Sequence, residues 1–365
     1  MHPIHYLEYT VVNDNSPSSD SRSYYAKGFQ TIFLQEFDFD SNYHSAQDVV
    51  ANQNMPYCAS LTRLAFALLL KSQEKPCTPA GFVASNIGNG SGLLLQWHKL
   101  TDPGIANYRV QIIHPNHGIV REYYLEDTCL NVEGLEEGTE YTLSLVSIDT
   151  QNLLSSAAEI RKTPALVSLN QGILLVDDSN GGLGNPSDDE TDSYYHSILH
   201  NFDFDEYDAN AIGKINLFTL GKYSSVLWHI NNMNFNSQLK LNLDEVKEYI
   251  DFGGKVFFTL FHPSSAFFGN TNFGFPTNLN QNSIPYKTFG LSGINHAENA
   301  RFKKAIATMD EFGNVNVDSA KLEAADAQIG QIQTISPSEN AIILYLYKSR
   351  SEERRVGKEC RSRRS

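Results

Sequence analysis

Two histidines in the second half of the chain have the spacing of a helical metal-binding pair. His196 and His200 lie four residues apart in HSILH, so a helix would place both imidazoles on one face. A zinc-dependent peptidase of this type needs a glutamate after the first histidine as its general base. Ser197 stands in that position. The pattern therefore argues against a zinc peptidase site at this pair.

Four aspartates flank a polar loop that follows the apolar run GILLVDD. Asp177 and Asp178 end the run, and Asp188 and Asp189 lie beyond the loop. Carboxylates are hard oxygen donors that suit calcium, and open α/β sheets bind ligands beyond the carboxyl ends of their strands. Two interpretations remain open, a calcium site and a solvated acidic turn.

The N-terminal stretch contains three short motifs in a fixed order. SDS at 19–21 precedes GFQT at 28–31 and a strand, and YHSAQD at 43–48 precedes a helix that begins near Pro56. This order resembles the end of the catalytic domain in the co-catalytic zinc aminopeptidases of clan MH. The chain departs from that pattern at Ser21, where the family usually has histidine, and in the GFQT turn.

The resemblance implies that His44 is a ligand of one of two zinc ions, with Asp20, Tyr43 and Asp48 in the second shell or pocket. Neutral imidazole is a suitable zinc donor, and such ions would polarise a peptide carbonyl and activate a bridging water. The family's other ligands and its general-base glutamate lie upstream of these motifs. Residues 1–75 are therefore expected to be the closing fragment of a truncated catalytic domain, without peptidase activity of its own.

The same residues also fit ordinary local roles. Ser45 and Asp48 have the spacing of a capping box, Asp20 suits a helix N-cap, and His44 could be a packed or solvated histidine. The family interpretation depends on the order of the motifs, because each motif taken alone favours the local role.

The segment around these motifs has few elements of its own. QTIFLQEF at 30–37 predicts a strand, and the recurrence of apolar residues over 56–72 predicts a helix with one buried face. The expected members of that face are Tyr57, Leu61, Leu64 and Leu68.

Residues 76–165 predict a β-sandwich of about seven short strands. Apolar side chains alternate along its runs, as in LLLQW, where Leu93, Leu95 and Trp97 share one face. Leu135 lies six residues before Tyr141. This spacing resembles the tyrosine corner of a fibronectin type III domain, and Trp97 resembles that family's core tryptophan. Trp97 and Tyr141 are therefore expected to be core and corner residues.

Residues 166–349 predict a doubly wound α/β domain, because buried runs alternate with amphipathic helices. The expected strands are GILLVDD, SVLWHI at 225–230, KVFFTLF at 255–261 and the late run AIILYLY at 341–347. Residues 270–299 are expected to form a loop or an inserted meander.

The two helices of this segment have clear end signals. SDDE at 187–190 is a capping box, and the inner stripe of the helix that follows is expected to be Tyr195, Ile198, Leu199 and Phe202. LDEVKEYIDF is followed by Gly253 and Gly254, which suit a left-handed helix end.

The α/β segment resembles class I glutamine-amidotransferase-like domains. Those enzymes use a cysteine nucleophile on a tight turn after a strand, and no cysteine lies between Cys129 and Cys360. Amidotransferase chemistry is therefore excluded for this segment.

Charge and composition limit the partners. The 365 residues carry a net charge of −14, and residues 350–365 contribute seven basic and three acidic side chains, which leaves −18 on the remainder. A polyanion would be repelled, so a nucleic-acid partner is not expected. The tail resembles a translated sequencing adapter and is treated as non-native.

Membrane and redox signals are weak. No run approaches the length of a membrane helix, and the N-terminus does not read as a secretory signal. Cys58 and Cys77 could pair in an oxidising compartment, or they could be buried free thiols.

The expected fold is multidomain: a truncated α/β zinc-exopeptidase remnant, a seven-stranded β-sandwich and a doubly wound α/β domain. The leading hypothesis is the C-terminal part of a secreted zinc aminopeptidase that acts on peptides or proteins. The alternative is a non-enzymatic surface-binding or adhesion protein built from the same modules, whose surface ligand the sequence does not identify.

Overall fold

The chain divides into two compact units. The first comprises Met1–Ile87 and Gly92–Pro164, and the second comprises Gly88–Ser91 and Ala165–Ser365. The computed structural model describes residues 23–24, 34, 41–72, 75–179, 187–230, 237–269, 274–297, 302–324 and 332–349. Asp20, most of the expected strand at 30–37 and the basic tail from 350 onward lie outside the described residues.

The α-helices and strands of the described residues are numbered here in chain order. The helices are α1 (Met55–Ser72), α2 (Asp188–Leu199), α3 (Ala209–Ile212), α4 (Leu217–Leu220), α5 (Leu243–Asp251), α6 (Pro263–Phe268), α7 (Ile284–Lys287) and α8 (Ser319–Ala324). The strands of the first unit are β1 (Val83–Asn86), β2 (Leu93–Gln96), β3 (Ile105–His114), β4 (Gly118–Leu125), β5 (Cys129–Val132), β6 (Tyr141–Asp149) and β7 (Ala158–Lys162). Those of the second are β8 (Gln171–Asp177), β9 (Phe204–Asp208), β10 (Tyr223–Ile230), β11 (Lys255–Leu260), β12 (Thr277–Asn278), β13 (Leu291–Ala297), β14 (Phe302–Ala307), β15 (Val315–Asn316), β16 (Ile332–Pro337) and β17 (Tyr345–Ser349).

Helix α1 agrees with the predicted helix, and Pro56 lies in its first turn. The four side chains of the predicted stripe are all half-buried, whereas Phe66, Leu69 and Leu70 are exposed. The periodic pattern therefore identified the more buried face of this helix.

None of the helices in the described ranges has the length and apolar character needed to cross a bilayer.

The first unit contains the predicted sandwich. Its strands form a three-stranded sheet, β1-β2-β5, and a four-stranded sheet, β4-β3-β6-β7, and every pairing is antiparallel. Leu93 and Leu95 are fully buried, and Trp97 packs edge-on against Tyr108 with ring centroids 5.5 Å apart. Alternation along the strands thus built one apolar core between the two sheets.

The predicted corner is present at the start of β6. The backbone N–H of Glu136 donates to the Tyr141 hydroxyl at 3.1 Å, and Leu135 and Tyr141 both lie in the sandwich core. This hydrogen bond ties the loop before β6 to the strand, as the tyrosine corner of immunoglobulin-like sandwiches does.

The cysteine interpretation is wrong in one respect. Cys58 and Cys77 are free, but Cys58 is half-buried and Cys77 is exposed, so neither is a buried thiol. Cys77 lies in the segment before β1, where no core surrounds its side chain.

The second unit contains a parallel sheet with the order β11-β10-β8-β9. Leu174, Leu175 and Val176 are buried in β8, as expected for a central strand of a sheet covered on both faces. The chain passes from β8 to β9 on one side and returns to β10 on the other. The strand order therefore reverses at β8, and the carboxyl ends of β8 and β10 border the switch point.

The inner stripe of α2 differs from the prediction. Tyr195 and Leu199 are buried together with Thr191, whereas Ile198 and Phe202 are exposed. The buried face follows steps of four residues, which leaves Ile198 to one side, and Phe202 lies beyond the end of the helix. After α5, Gly253 has a φ of 95°, so the predicted left-handed helix end is confirmed.

The late run AIILYLY does not extend the parallel sheet. Only its end is a strand, β17, which pairs antiparallel with β14 in the small sheet β15-β14-β17. Ile342 and Leu346 are exposed. A continuous apolar run specifies neither the direction nor the partner of a strand, so the expected assignment was wrong. The predicted meander contains β12 and β13, which join β16 in a third antiparallel sheet.

Candidate functional site

Three ionisable side chains converge at the carboxyl edge of the parallel sheet. Asp177 is the last residue of β8, His229 lies opposite it near the end of β10, and Asp192 lies in the second turn of α2. One ligand atom from each lies within 4.8 Å of the other two. These three residues, here called the edge site, border the switch point where open α/β sheets bind ligands.

Local sequence signals place each contributor. The Ser187 side chain accepts from the Glu190 backbone N–H while the Glu190 carboxylate accepts from the Ser187 N–H, so the predicted capping box begins α2. Tyr195 then faces the sheet, and Asp192 shares its side of the helix because the two are three residues apart.

The His229 ring is held on two sides. It is completely buried and stacks on Tyr195 with ring centroids 4.2 Å apart. The Tyr195 hydroxyl lies 2.7 Å from Thr259 Oγ1 on β11, which anchors the stacking ring. His229 Nδ1 lies 3.2 Å from Ser179 Oγ. His229 Nε2 has no hydrogen-bond partner and faces Asp177 Oδ1 at 3.6 Å.

The carboxylates of the site are crowded. Asp177 is 5% exposed, and its Oδ1 accepts from the Ser179 N–H at 2.9 Å. Burial, together with the nearby carboxylates of Asp192, Asp188 and Asp208, raises the pKa of Asp177 to about 7. Burial also raises the pKa of Asp192, and the negative charge of Asp188 raises it by a smaller amount. One buried oxygen of Asp188 and one of Asp192 have no hydrogen-bond partner.

Burial acts on the histidine in the opposite direction. It lowers the pKa of His229 to about 4, with a smaller contribution from His196. The imidazole is therefore neutral at physiological pH and retains a lone pair on one nitrogen. A neutral imidazole between two carboxylates is a donor set that binds first-row divalent metals.

Asp178 follows Asp177 in the chain, but its carboxylate points away from the edge site. Both of its oxygens accept hydrogen bonds. Its Oδ1 accepts from the Gln238 N–H, and its Oδ2 accepts from three donors. Those three donors are Trp228 Nε1 at 3.1 Å, Ser237 Oγ at 2.7 Å and the Leu239 N–H at 2.9 Å. Its role is to fasten the segment after β10 to the end of β8.

The four aspartates of the calcium interpretation are therefore separated. Asp177 lies in the edge site, and Asp188 lies close enough to raise the pKa of Asp177. Asp178 faces the other way, and Asp189 is exposed on the first turn of α2. The calcium interpretation stays a prediction, and the structure does not bring its four carboxylates together.

Sequence reasoning missed His229 and Asp192. The signal that could have found His229 is its place in SVLWHI, because a histidine near the end of a buried strand can lie beside Asp177 if the two strands are adjacent and parallel. Asp192 lies on the helix α2, and no sequence pattern indicates that it lies beside Asp177 and His229.

The histidine pair on α2 has separate partners. His196 Nε2 lies 2.9 Å from Glu206 Oε2, and His200 Nδ1 lies 2.7 Å from the Ser197 carbonyl oxygen. Both side chains are exposed. The two imidazoles thus contact different partners, and the argument against a zinc pair stays a prediction from the sequence.

The N-terminal candidates lie in an exposed turn. His44 has a φ of 58° and stacks on Tyr43 with ring centroids 3.9 Å apart, and Gln53 Nε2 donates to Asp48 Oδ1 at 3.0 Å. Within the described residues, His44 belongs to no group of three or more metal-ligating side chains. Its zinc role stays a prediction that the described contacts do not support.

Comparison with known proteins gives structural similarity alone. No protein-family model matches the chain, and no curated protein sequence matches it. A two-domain fibronectin type III segment of chicken tenascin is 23% identical, covering 26% of this chain and 50% of its own, with a TM-score of 0.22. The chicken CNTN1 FN1–FN3 domains are 12% identical, covering 24% of this chain and 32% of their own, with a TM-score of 0.23. A structure described as a myokine is 20% identical, covering 25% of this chain and 99% of its own, with a TM-score of 0.22.

The similarity to these neighbours, at TM-scores of 0.22 and 0.23, does not itself assign the sandwich. Because their TM-scores are low, the interpretation of residues 76–165 depends on the strand order and on the Tyr141 corner. These neighbours lend no support to the aminopeptidase or the amidotransferase resemblance.

Proposed function

We propose that this chain is a binding protein that acts outside the cell or at its surface and presents surfaces of its sandwich and its α/β unit to partners. The observation that supports this proposal is the seven-stranded sandwich, whose core and tyrosine corner are formed. Sandwiches of this architecture are common in cell-surface proteins. No observation on the described residues favours peptidase chemistry, so zinc and a peptide substrate remain predictions from the resemblance.

The two edges of the four-stranded sheet differ in character. Strand β4 exposes the apolar side chains of Ile119, Val120 and Tyr124, which are 55%, 43% and 60% exposed, and one charged residue, Glu122, whose carboxylate accepts from Gln111 and Tyr124. Strand β7 at the other edge exposes the charged residues Glu159 and Arg161. Charged side chains on an edge oppose the addition of a further strand, whereas apolar ones permit it.

Strand β4 is therefore the contact surface that we propose for a protein partner. Exposed apolar side chains on a sheet edge mark interaction sites, and an extended segment of a partner can add to such an edge through backbone hydrogen bonds. The partner would present an extended segment with apolar side chains at alternate positions.

Binding of the labelled full chain to cells of the source organism tests the proposal. We expect saturable binding that Val120→Lys weakens by about tenfold, equivalent to about 1.4 kcal/mol. Glu159→Lys, which places the same side chain on the opposite edge, is the control and should bind as the unaltered chain does. Equal binding by all three proteins would reject the β4 surface.

A parallel assay addresses the peptidase hypothesis. The full chain with added zinc is incubated with a leucyl anilide, and we expect no hydrolysis. Hydrolysis that a chelator stops and that His44→Ala abolishes would overturn the binding-protein proposal in favour of the aminopeptidase.

A further inference from the structure

We propose that Asp177, Asp192 and His229 bind one first-row divalent cation, for which zinc is the probe. The proposal goes beyond surface binding by β4 and does not depend on it. It concerns the carboxyl edge of the parallel sheet in the second unit.

The distance between His229 Nε2 and Asp177 Oδ1 is the first argument. At 3.6 Å it lies beyond an ordinary hydrogen bond, and the Nε2 atom has no hydrogen-bond partner. Two ligands on a tetrahedral zinc ion with bonds of 2.0–2.1 Å are about 3.3 Å apart. The pair is therefore spaced for a shared cation rather than for a direct contact.

Asp192 supplies the third donor from the helix side. Its ligand atom lies within 4.8 Å of the other two, and its side chain is half-buried. One of its oxygens is buried without a hydrogen-bond partner.

The unpartnered histidine nitrogen is the independent argument for a ligand. His229 is 0% exposed, so Nε2 has neither a protein partner nor bulk water. Buried polar atoms are nearly always paired, and those that are not require an explanation. When Nδ1 carries the proton and donates it to Ser179 Oγ, Nε2 directs its lone pair at Asp177, which is the tautomer that metal binding needs.

The charges around the site favour a cation. Asp188 and Asp208 lie close enough to act on Asp177, and neither is a member of the edge site. With Asp192, three carboxylates thus act on Asp177. A bound divalent ion would offset part of their mutual repulsion.

The donor set selects the class of ion. Imidazole nitrogen with carboxylate oxygen suits zinc, cobalt and related first-row ions, whereas calcium and magnesium prefer sets made only of oxygen. Three protein ligands also leave one position for water or for a carboxylate of a bound molecule.

Hydrogen exchange of the full chain, with and without zinc, tests the proposal. The chain has 11 histidines, so total zinc uptake would not report this site. We expect zinc to slow exchange at the ends of β8 and β10 and in the first turns of α2. A zinc titration followed by this protection gives the affinity of the site.

The decisive variants lie on one helix. Asp192→Asn should weaken zinc-dependent protection at least about tenfold, because metal ligands and their supporting residues have effects of this size. Asp189→Asn removes the same charge from an exposed position three residues earlier and should leave the affinity unchanged. Equal exchange of all three proteins without zinc shows that the fold is intact, and His229→Gln should behave as Asp192→Asn does.

Three results would overturn the proposal. Absence of zinc-dependent protection in these segments would reject the site. Equal weakening by Asp189→Asn and Asp192→Asn would show attraction to general negative charge rather than coordination. Equal protection by calcium would reject the assigned class of ion.

Discussion

Each unit of the molecule buries a histidine, and the two imidazoles differ in the partners of their ring nitrogens. In the sandwich, His114 Nδ1 accepts from the Asn116 N–H at 3.0 Å, and its Nε2 lies 3.5 Å from a Glu136 carboxylate oxygen. In the α/β unit, His229 has one nitrogen beside Ser179 and the other without a partner. Burial alone therefore does not indicate a ligand, and the two histidines differ in the completeness of their hydrogen bonding.

The same contrast recurs between two neighbouring aspartates. Asp178 accepts four hydrogen bonds and fastens the segment after β10, whereas Asp177 accepts from one backbone N–H and faces the histidine. Adjacent residues of a strand point to opposite faces, so one faces a folded loop and the other the switch point. One stabilises the fold, and the other is available to a ligand.

Removal of the Asp178 carboxylate should have the largest effect on stability. Asp178→Ala removes the acceptor shared by four donors, of which the Leu239 N–H keeps Ser237 Oγ as a second acceptor, and we expect a loss of about 3–5 kcal/mol in the free energy of unfolding of the second unit. Because a chain of two units need not unfold in one step, hydrogen exchange in β8 and β10 is the suitable measurement. Asp177→Ala, as the control, should lose about 1 kcal/mol or less. Equal losses would remove the distinction between the two aspartates.

Substitution of the sandwich histidine should have an intermediate effect. His114→Leu leaves the Asn116 N–H without its acceptor, and we expect a loss of about 1–3 kcal/mol in the first unit. Zinc-dependent protection at the edge site should stay unchanged in this variant. Loss of that protection would show that the two buried histidines do not have separate roles.

The features that sequence predicted are those specified by residues close together in the chain. The capping box at Ser187, the left-handed end at Gly253 and the Leu135–Tyr141 corner each depend on a few neighbouring residues. The buried runs that became β8, β10 and β11 were predicted for the same reason. Alternation or continuity of apolar residues is a local property.

The candidate site could not be predicted in this way. Asp177 and His229 meet because β8 and β10 are adjacent, parallel and in register, and this pairing joins residues that are 52 positions apart. Asp192 joins them through the packing of α2. The prediction made from the run AIILYLY was wrong for a related reason. Its strand pairs with β14, and an apolar run does not specify which strand will be its partner.

The tyrosine corner offers a smaller test within the sandwich. Tyr141→Phe removes the acceptor of the Glu136 N–H but keeps the ring in the core, and we expect a loss of about 0.5–1.5 kcal/mol. Thermal or denaturant unfolding followed by Trp97 fluorescence reports on this unit, with Trp228→Phe as the background. Tyr123→Phe, on the edge strand β4, is the matched control. An unchanged midpoint for Tyr141→Phe would mean that the corner bond does not stabilise the sandwich.

The smallest effect is expected at Asp177 itself, and its sign distinguishes a ligand from a structural residue. Asp177→Asn keeps the shape of the side chain and removes a charge that burial and three neighbouring carboxylates disfavour, since they raise the pKa of Asp177 to about 7. At pH 8 and without metal, where this carboxyl is mostly ionised, the variant should be as stable as the unaltered chain or more stable by up to about 1 kcal/mol. With zinc present the order should reverse, because only the carboxylate form is a good ligand, and a cation that binds the folded state alone stabilises it. Hydrogen exchange at β8 in both conditions measures the two differences. A variant that is less stable in both conditions by the same amount would place Asp177 with Asp178 among the residues that hold the fold.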